Sequence, residues 1–513
     1  MKKMNRTKVW ILWMVLIYLI LISLLVLAES ASAEANIRTL PTAIWFTLTT
    51  LTTVGYGDTY PVTAAGRLIG ALFQIFSTGL LVMLIGMLTA FLRSRFIPML
   101  RLRQTQNYPW YIFTDDFPEA QILAQSIQKE DNNAEIVYCG DAQDVHTADS
   151  VNISYNAPEL LSQAHGTGKR YVFCLNEDPA ENDRKVRELR DTDAEIYVRS
   201  EYEPDTLRAD IHLFDPYLCC ARMYWNKYMT GPEETMLIIG SGKYAEALLE
   251  QGLQLNVISP DQHIHYYLYG DYENFRRNHP QLDKICHVNE VFSDRDGIVF
   301  CDGSWNQDPE RIRTADRIIL CDDSEDTNIE ILTQLQRYFP GTAQIYARIS
   351  SAYDKVITFG SAEEIWSVGN VLRTRMNQTA IRLHEIYRQS SGNAPAWEEL
   401  GRFTRRSNLA AADHLIRKVE ILLGKEADHT LSPSQCRKAY EVFAQTTGEQ
   451  RTTLRRIEHE RWARFHYLNN WSYNEKRDNA MRHHPLLKKF DQLPLSDQAK
   501  DDYGWEVLKD LAG

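Results

Sequence analysis

Two long apolar runs stand near the start of the chain, separated by a polar loop. The first, 10–28, holds nineteen residues without a charge, and the second, 68–92, holds twenty-five with Gln74 as its one strongly polar member. A helix of about twenty apolar residues crosses a bilayer core of about 30 Å. The pattern therefore predicts two membrane-spanning helices. A cleaved signal peptide is the alternative for the first run, because Ala31-Ser32-Ala33 resembles a cleavage site.

Basic residues flank the two runs on the same side of the predicted membrane. They are Lys2, Lys3, Arg6 and Lys8 before the first run and Arg93, Arg95, Arg101 and Arg103 after the second. Positive charge is retained in the cytoplasm. We therefore expect a multi-pass protein of the cell membrane, embedded in the lipid bilayer with both termini cytoplasmic.

A short apolar stretch, 41–52, lies between the two runs and predicts a pore helix that enters the membrane and turns back. It leads into Thr53-Val54-Gly55-Tyr56-Gly57 and then Asp58. Irregular backbone at membrane depth is tolerated where it lines a water-filled path. Glycine at alternate positions allows successive carbonyls to point the same way. Rings of such carbonyls replace the hydration shell of a permeant cation.

The segment 53–58 resembles the selectivity filter of two-helix bacterial potassium channels, and the likeness continues through Tyr60-Pro61-Val62-Thr63. The resemblance implies K⁺ as the permeant ion. It also implies a homotetramer, because one chain supplies a quarter of each ring.

Two features depart from that family. The acid that pairs with the aspartate behind the filter is replaced by Thr49, which leaves Trp45 as the expected partner of Asp58. The hinge glycine of the inner helix is replaced by Ser77, so Gly79 and Gly86 become gate or hinge candidates, with helix packing as the alternative for both.

From residue 104 onward, short apolar strands alternate with helical stretches, which predicts an α/β layer fold. The segment 194–199, Ala-Glu-Ile-Tyr-Val-Arg, recurs as Ala-Gln-Ile-Tyr-Ala-Arg at 343–348. Each copy follows a strand that ends in cysteine, at Cys174 and Cys321. Two tandem Rossmann-like units are therefore expected.

These units resemble the RCK (TrkA-like) domains that regulate potassium conductance. The second carries Gly-x-Gly-x-x-Ala at Gly240, Gly242 and Ala245, a pattern typical of a phosphate-binding turn at a helix N-terminus. The predicted second strand, 256–258, is followed by Ser259 where a ribose-binding acid is expected, with Asp261 two residues later. The unit is thus a candidate nucleotide site, or a Rossmann unit kept for its packing.

The first unit has no such glycine turn. Asp115 and Asp116 follow its first strand, and two acids would repel a pyrophosphate. They are candidates for a cation such as Ca²⁺, with helix capping as the alternative.

The last part of the chain is helical and aromatic and resembles the RyR domain, the repeat of ryanodine receptors. The resemblance implies sensing of a small ligand, such as a nucleotide or an NAD-derived messenger. The ligand candidates are Arg461, Trp471, Tyr473, Lys476, Arg477 and His484. The alternative is that the aromatic residues form the core and the charged residues a solvated rim.

The distribution of charge along the chain bears on which partners the protein can bind. Residues 1–103 carry ten Lys/Arg against three Asp/Glu, and the whole chain is −12, so the remainder carries −12 − 7 = −19. Such an acidic body argues against nucleic acid as a partner. No spacing predicts a catalytic pair or a Walker loop, so an enzyme is not expected.

The sequence predicts a helical membrane pore (1–103), a degenerate RCK-like α/β domain (104–232), a second one (233–392) and a mainly helical RyR-like domain (393–513). The function expected is a ligand-gated potassium channel. The alternatives are a non-conducting regulatory subunit of a transporter and a membrane-anchored enzyme acting on nucleotides.

Overall fold

The computed structural model describes residues 6–140, 149–202, 208–339, 341–391 and 394–512. It divides into two compact units. One comprises Met1–Thr105 with Val151–Tyr155, and the other comprises Gln106–Ser150 with Asn156–Gly513.

The N-terminal unit is built from three helices. They are Arg6–Glu29, Leu40–Leu51 and Ala64–Phe91, and the third continues through a π-helical turn, Leu92–Phe96, into Ile97–Gln104. Thr63 caps the third helix by accepting a hydrogen bond from the amide of Gly66 (2.8 Å). A short strand, Val151–Ile153, completes the unit.

Among the described residues, one helix is long and apolar enough to cross a bilayer, the continuous helix over 64–104. The predicted second span lies within it. The apolar part found in the first helix, Val15–Glu29, and the helix Leu40–Leu51 are each shorter than a membrane span. The first span therefore stays a prediction.

The first α/β layer of the C-terminal unit is parallel throughout. Across the sheet its strands run in the order Glu135–Cys139, Trp110–Phe113, Arg170–Cys174, Glu195–Arg199 and Ile211–Phe214. Its helices are Pro118–Glu130, Ala157–Leu161, Pro179–Glu188 and Pro216–Lys227.

The second layer has seven parallel strands. In spatial order they are Val356–Phe359, Gln344–Arg348, Arg317–Leu320, Glu233–Ile239, His263–Tyr269, Gly297–Phe300 and His287–Val288. Its helices are Lys243–Leu255, Glu273–Asn278, Leu282–Ile285, Pro309–Thr314, Glu325–Tyr338, Ala362–Ile365 and Val368–Val371. The expected parallel α/β units are confirmed.

A pair of buried asparagines shows that the two layers repeat one design. Asn182 Nδ2 donates to the carbonyl of Arg199 (2.9 Å), and Asn328 Nδ2 donates to that of Arg348 (3.1 Å). Asn182 Oδ1 also accepts the backbone amide of Asn176, two residues after Cys174. Asn328 Oδ1 accepts that of Asp322, one residue after Cys321. The repeat detected in the sequence is therefore a repeat of structure.

The predicted second strand at 256–258 is wrong. Helix Lys243–Leu255 ends there, and the chain turns around Gln262, whose Oε1 accepts the amides of Ile258 (2.6 Å) and Ser259 (3.2 Å). The second strand is His263–Tyr269, in which half-buried and buried side chains alternate over 263–268.

The remainder of the chain is mainly helical. It contains helices Gln378–Ser391, Arg402–Asp413, Leu415–Leu423, Pro433–Gln445, Gly448–Leu468, Leu495–Gln498 and Tyr503–Leu511, with two-residue strands Ser472–Tyr473 and His483–His484. Ala380 packs in one core with Leu415, Leu508 and Leu511. The helix before the predicted boundary at 393 therefore belongs to this module, which we call the C-terminal module (378–512).

Candidate ion pathway and ligand-binding sites

The segment after the pore helix has the dihedral alternation that the glycine pattern predicts. Thr53 (φ 58°), Gly55 (φ 56°) and Gly57 (φ 74°) all have positive φ. Positive φ is costly for a β-branched residue, so Thr53 stores strain of the kind found at functional sites.

Backbone amides fix the direction of the filter carbonyls. The amides of Val54 (3.0 Å) and Gly55 (3.2 Å) both donate to the carbonyl of Thr49 at the end of the pore helix. In a planar trans peptide the carbonyl opposes the following N–H. The carbonyls of Thr53 and Val54 therefore point away from the pore helix, as lining an ion path requires.

Trp45 supports the filter from behind. Its Nε1 donates to Asp58 Oδ2 (2.8 Å), and its ring stacks on that of Tyr56 with centroids 5.7 Å apart. This is the Asp58 partner expected from the sequence. Thr49 instead uses its hydroxyl within the pore helix, donating to the carbonyl of Phe46 (3.0 Å).

Glu29 is a structural residue that sequence reasoning missed, since the first apolar run was taken to end at residue 28 and Glu29 fell in the polar loop that follows. It is fully buried, and its carboxylate accepts the amides of Val62 and Thr63 (both 3.0 Å) and the hydroxyl of Thr63 (2.7 Å). A Cβ at Gly66 would lie 1.9 Å from Glu29 Oε1, so the glycine makes room for it. A single acid at the end of an apolar helix was the available signal, because buried acids need partners.

The hinge candidates lie in uninterrupted helix. Ser77 is buried, and its hydroxyl donates to the carbonyl of Gln74 (3.0 Å). A Cβ at Gly79 or Gly86 would meet nothing within 4 Å inside one subunit. Packing within a single chain thus gives no reason for either glycine, and their hinge role stays a prediction.

The glycine turn of the second α/β layer is present, but its amides are occupied. Gly240 and Gly242 have positive φ, and helix Lys243–Leu255 follows. The amide of Ser241 donates to Asp322 Oδ2 (3.0 Å). The amides of Lys243 and Tyr244 donate to the two oxygens of Asp323 (3.0 and 2.9 Å).

The chain's own carboxylates therefore stand where a phosphate was expected. A Cβ at Gly242 would lie 2.1 Å from Asp323 Oδ2, so this glycine accommodates the aspartate. Ala245 is fully buried and serves packing.

The acid after the second strand is Asp271, which the misplaced strand concealed. Its amide donates to Ser241 Oγ (3.0 Å), and it borders a cavity of about 830 Å³ together with Arg276 and Arg311. Ser259 and Asp261 lie instead in the turn before the strand, joined by a hydrogen bond from the amide of Asp261 to Ser259 Oγ (3.3 Å).

Asp115 in the first layer serves neither as a helix cap nor in a carboxylate cluster. It is buried, forms an ion pair with Lys185 Nζ (2.5 Å) and accepts the amide of Leu175 (3.1 Å). Asp116 accepts a bond from the side chain of Gln121 (3.1 Å), and helix Pro118–Glu130 has no side-chain cap. The capping alternative is therefore wrong. Among the described residues, no three His, Cys, Asp or Glu side chains group as metal ligands.

The six ligand candidates of the C-terminal module do not form one site. Trp471 is buried against Ala463 and Leu487. Three candidates are exposed: Tyr473, Lys476 and Arg477. His484 is buried with its ring edge-on to Trp462 (4.9 Å), and burial lowers its pKa to about 4. Arg461 is buried and paired with Glu458 (2.7 Å).

Comparison with known proteins locates one family match. Residues 9–94 match a family model described as an ion channel. The N-terminal region is therefore similar to ion-channel domains over these residues. A stretch of 109 residues is 32% identical to potassium voltage-gated channel subfamily A member 2 of Oncorhynchus mykiss, covering 21% of this chain and 19% of that protein. A stretch of 58 residues is 45% identical to the calcium-gated potassium channel TvoK of Thermoplasma volcanium, covering 11% of this chain and 17% of that one. The chain thus spans less than a fifth of each curated relative.

Solved structures resemble the chain more broadly but less closely. The structure of GsuK bound to ADP is 17% identical with a TM-score of 0.35, covering 72% of this chain and 100% of that one. The GsuK channel bound to NAD is 14% identical with a TM-score of 0.33, covering 73% and 86%. Likenesses this low support no further inference.

Proposed function

We propose that this chain is the subunit of a ligand-gated, potassium-selective channel of the cell membrane. The observation that carries the proposal is the filter backbone. Every second residue over Thr53–Gly57 has a left-handed backbone conformation. The amides of Val54 and Gly55 donate to the carbonyl of Thr49, so the carbonyls of Thr53 and Val54 point away from the pore helix. Such carbonyls substitute for water around a dehydrated K⁺.

One chain provides one row of carbonyls, so a ring of ligands around an axis requires several copies. We propose a homotetramer with two spans per subunit, the first within Arg6–Glu29 and the second within the helix over 64–104. Both termini and the α/β layers then lie in the cytoplasm, where a small ligand reaches them.

Flux through purified protein in liposomes tests this function. We expect K⁺ to pass in preference to Na⁺, and liposomes without protein set the background. Gly55→Ala should abolish or degrade the preference, because a Cβ is strained at φ 56°. Gly424→Ala is the matched control, since Gly424 has φ 57°, has nothing within 4 Å of its Cβ position and lies in the C-terminal module.

The outcomes separate the alternatives. Protein that inserts correctly but passes no K⁺, either alone or with added nucleotides or divalent cations, would refute the channel and favour a non-conducting regulatory subunit. An unchanged K⁺ preference in Gly55→Ala would refute the filter assignment alone.

A further inference from the structure

A large cavity lies in the C-terminal module, and neither Lys476 nor Arg477 lines it. Its volume is about 1070 Å³, at the upper end of the roughly 300–1,000 Å³ usual for small-molecule sites. Helices Gln378–Ser391, Arg402–Asp413 and Gly448–Leu468 contribute to its wall. Aromatic rings line it at Tyr387, Trp462 and Tyr503, together with the aliphatic side chains of Leu383, Leu400, Leu486, Leu493 and Val507.

A buried group of three charges forms one side of the cavity. Glu458 accepts from Lys418 Nζ (2.7 Å) and from Arg461 through Nε (3.0 Å) and Nη2 (2.7 Å). Burial by itself would raise the pKa of Glu458, but the two cations outweigh it and hold that pKa well below its usual range. The group therefore carries a net charge of +1.

Arg461 keeps one donor without a partner. Its Nη1 is buried and makes no hydrogen bond within the described chain, although the residue is only 3% exposed. A buried guanidinium N–H without an acceptor is costly, and a charge-assisted bond to a ligand would relieve that cost. Arg461 borders the cavity, so a positively charged side chain with one unsatisfied donor lies in the cavity wall.

Acidic side chains on other parts of the wall limit the charge that a ligand can bring. Asp497, Asp501 and Glu399 also border the cavity, and Lys500, which forms an ion pair with Asp497 (2.6 Å), offsets only one of these three charges. They would repel a polyphosphate, whereas a net +1 group matches a single negative charge. Trp462 and Tyr503 offer faces for a flat ring.

We propose that this cavity binds a small molecule in which a planar ring carries one singly charged oxyanion, and that Arg461 Nη1 donates to that oxyanion. A phosphodiester on a purine and a carboxylate on an aromatic ring share this chemistry. The site differs from the exposed Lys476 and Arg477 that sequence alone suggested.

Helices of the cavity wall also contact the α/β layers, among them Gly448–Leu468 through Arg464 and Asp296 (2.9 Å) and Arg402–Asp413. Thr404, Ser407, Asn408 and Ala411 of helix Arg402–Asp413 line the cavity. The same helix ends at Asp413, which pairs with Arg222 of helix Pro216–Lys227 (2.7 Å). A ligand that orders this helix would therefore act on the α/β layers. This regulatory role rests on the proposed channel function, whereas the binding of the ligand does not depend on it.

Calorimetric titration of the full chain in detergent tests the site with four probes. Cyclic AMP and indole-3-acetate carry a ring and one negative charge, adenosine carries no charge, and ADP carries several. We expect at least one singly charged probe to bind ten times more tightly than adenosine and ADP. Tighter binding of cyclic AMP would indicate a phosphodiester ligand, and tighter binding of indole-3-acetate would indicate a carboxylate.

Variants locate the binding. Arg461→Gln should lower the affinity for the tightest-binding probe at least tenfold, because it removes the charged donor. Ala411→Phe should do the same by filling the cavity, with all charges intact. Lys476→Ala and Arg477→Ala are matched controls that remove a basic side chain elsewhere in the module and should change affinity less than twofold.

The inference is overturned if neither singly charged probe outbinds adenosine, or if the Lys476 and Arg477 variants lose binding while Ala411→Phe keeps it. Binding that passes these tests without any effect on K⁺ flux would leave the site established and refute its regulatory role.

Discussion

The ion pair between Arg222 and Asp413 should be a main stabilising contact between the α/β layers and the C-terminal module. Arg222 Nε and Nη2 lie 2.7 and 2.8 Å from the two oxygens of Asp413, and both side chains are 6% exposed. Gln251 also donates to Asp413 Oδ2 (3.1 Å). Removing the carboxylate by Asp413→Ala would leave a buried cation without its counter-ion.

The expected loss follows from burial. Breaking a buried pair costs about 3–5 kcal/mol. Arg222 keeps neutral acceptors at Asn377 Oδ1 (2.6 Å) and the carbonyl of Met376. We therefore expect the lower end, about 3 kcal/mol, which is roughly a hundredfold in a local opening equilibrium.

Hydrogen–deuterium exchange of the full chain measures this loss in helices Arg402–Asp413 and Pro216–Lys227, whose protection should fall together. The double variant Arg222→Met with Asp413→Leu should recover most of the protection, because no lone charge remains buried. Arg184→Ala breaks an exposed pair with Glu181 and should leave both helices unchanged. A change below fivefold in Asp413→Ala would refute the reasoning.

Three other outcomes are expected. Trp45→Phe removes the 2.8 Å bond to Asp58, so single-channel recording should show shorter filter openings with unchanged K⁺ preference; unchanged dwell times would contradict a supporting role. Asp323→Asn weakens the anion held at the glycine turn, so calorimetry should find ADP bound at least tenfold more tightly than by the native chain, and equal affinity would mean that the turn takes no phosphate. Burial lowers the pKa of His466 to about 3, below its unfolded value, so its contribution to stability is present above about pH 6.5 and lost as the pH falls. Exchange protection of helix Gly448–Leu468, corrected for intrinsic rates, should therefore drop between pH 7 and pH 5, less so in His466→Asn, and a rise would contradict the assignment.

Local patterns predicted the features that are encoded locally. The filter is a contiguous segment whose dihedrals depend on its own glycines, and the dihedral alternation over Thr53–Gly57 follows. The tandem layers were visible because the segment 194–199 recurs at 343–348 and each copy follows a strand that leads into a cysteine, at Cys174 and Cys321. The Trp45–Asp58 contact could also be predicted, since the pore helix and the loop behind it are close in sequence.

The errors came from contacts between distant parts of the chain. Asp323 lies about eighty residues beyond the glycine turn that it caps, and periodicity does not reveal such a partner. The second strand was misplaced because 256–258 is apolar, although Val257 is buried against Phe443 and Trp505 of the C-terminal module rather than in a sheet. Arg461 was recognised as a candidate, but the cavity around it requires the folded positions of three separate helices.

The two α/β layers close the same crevice with carboxylates in different ways. In open parallel sheets that crevice, outside the carboxyl ends of the strands where their order reverses, is the usual ligand site. In the first layer Asp115 lies there and forms an ion pair with the largely buried Lys185 (2.5 Å). Displacing Asp115 would leave this cation without its counter-ion, which disfavours an exchange of anions at that position.

In the second layer, Asp322 and Asp323 are held by backbone amides, with no ion pair to either among the described residues. Another anion can take over those amides without leaving a buried charge behind. The degenerate first layer therefore serves as a rigid frame, and any exchange of ligands at the strand ends is confined to the second layer. With the cavity of the C-terminal module, both candidate sensing sites then lie in the part of the chain that follows residue 232.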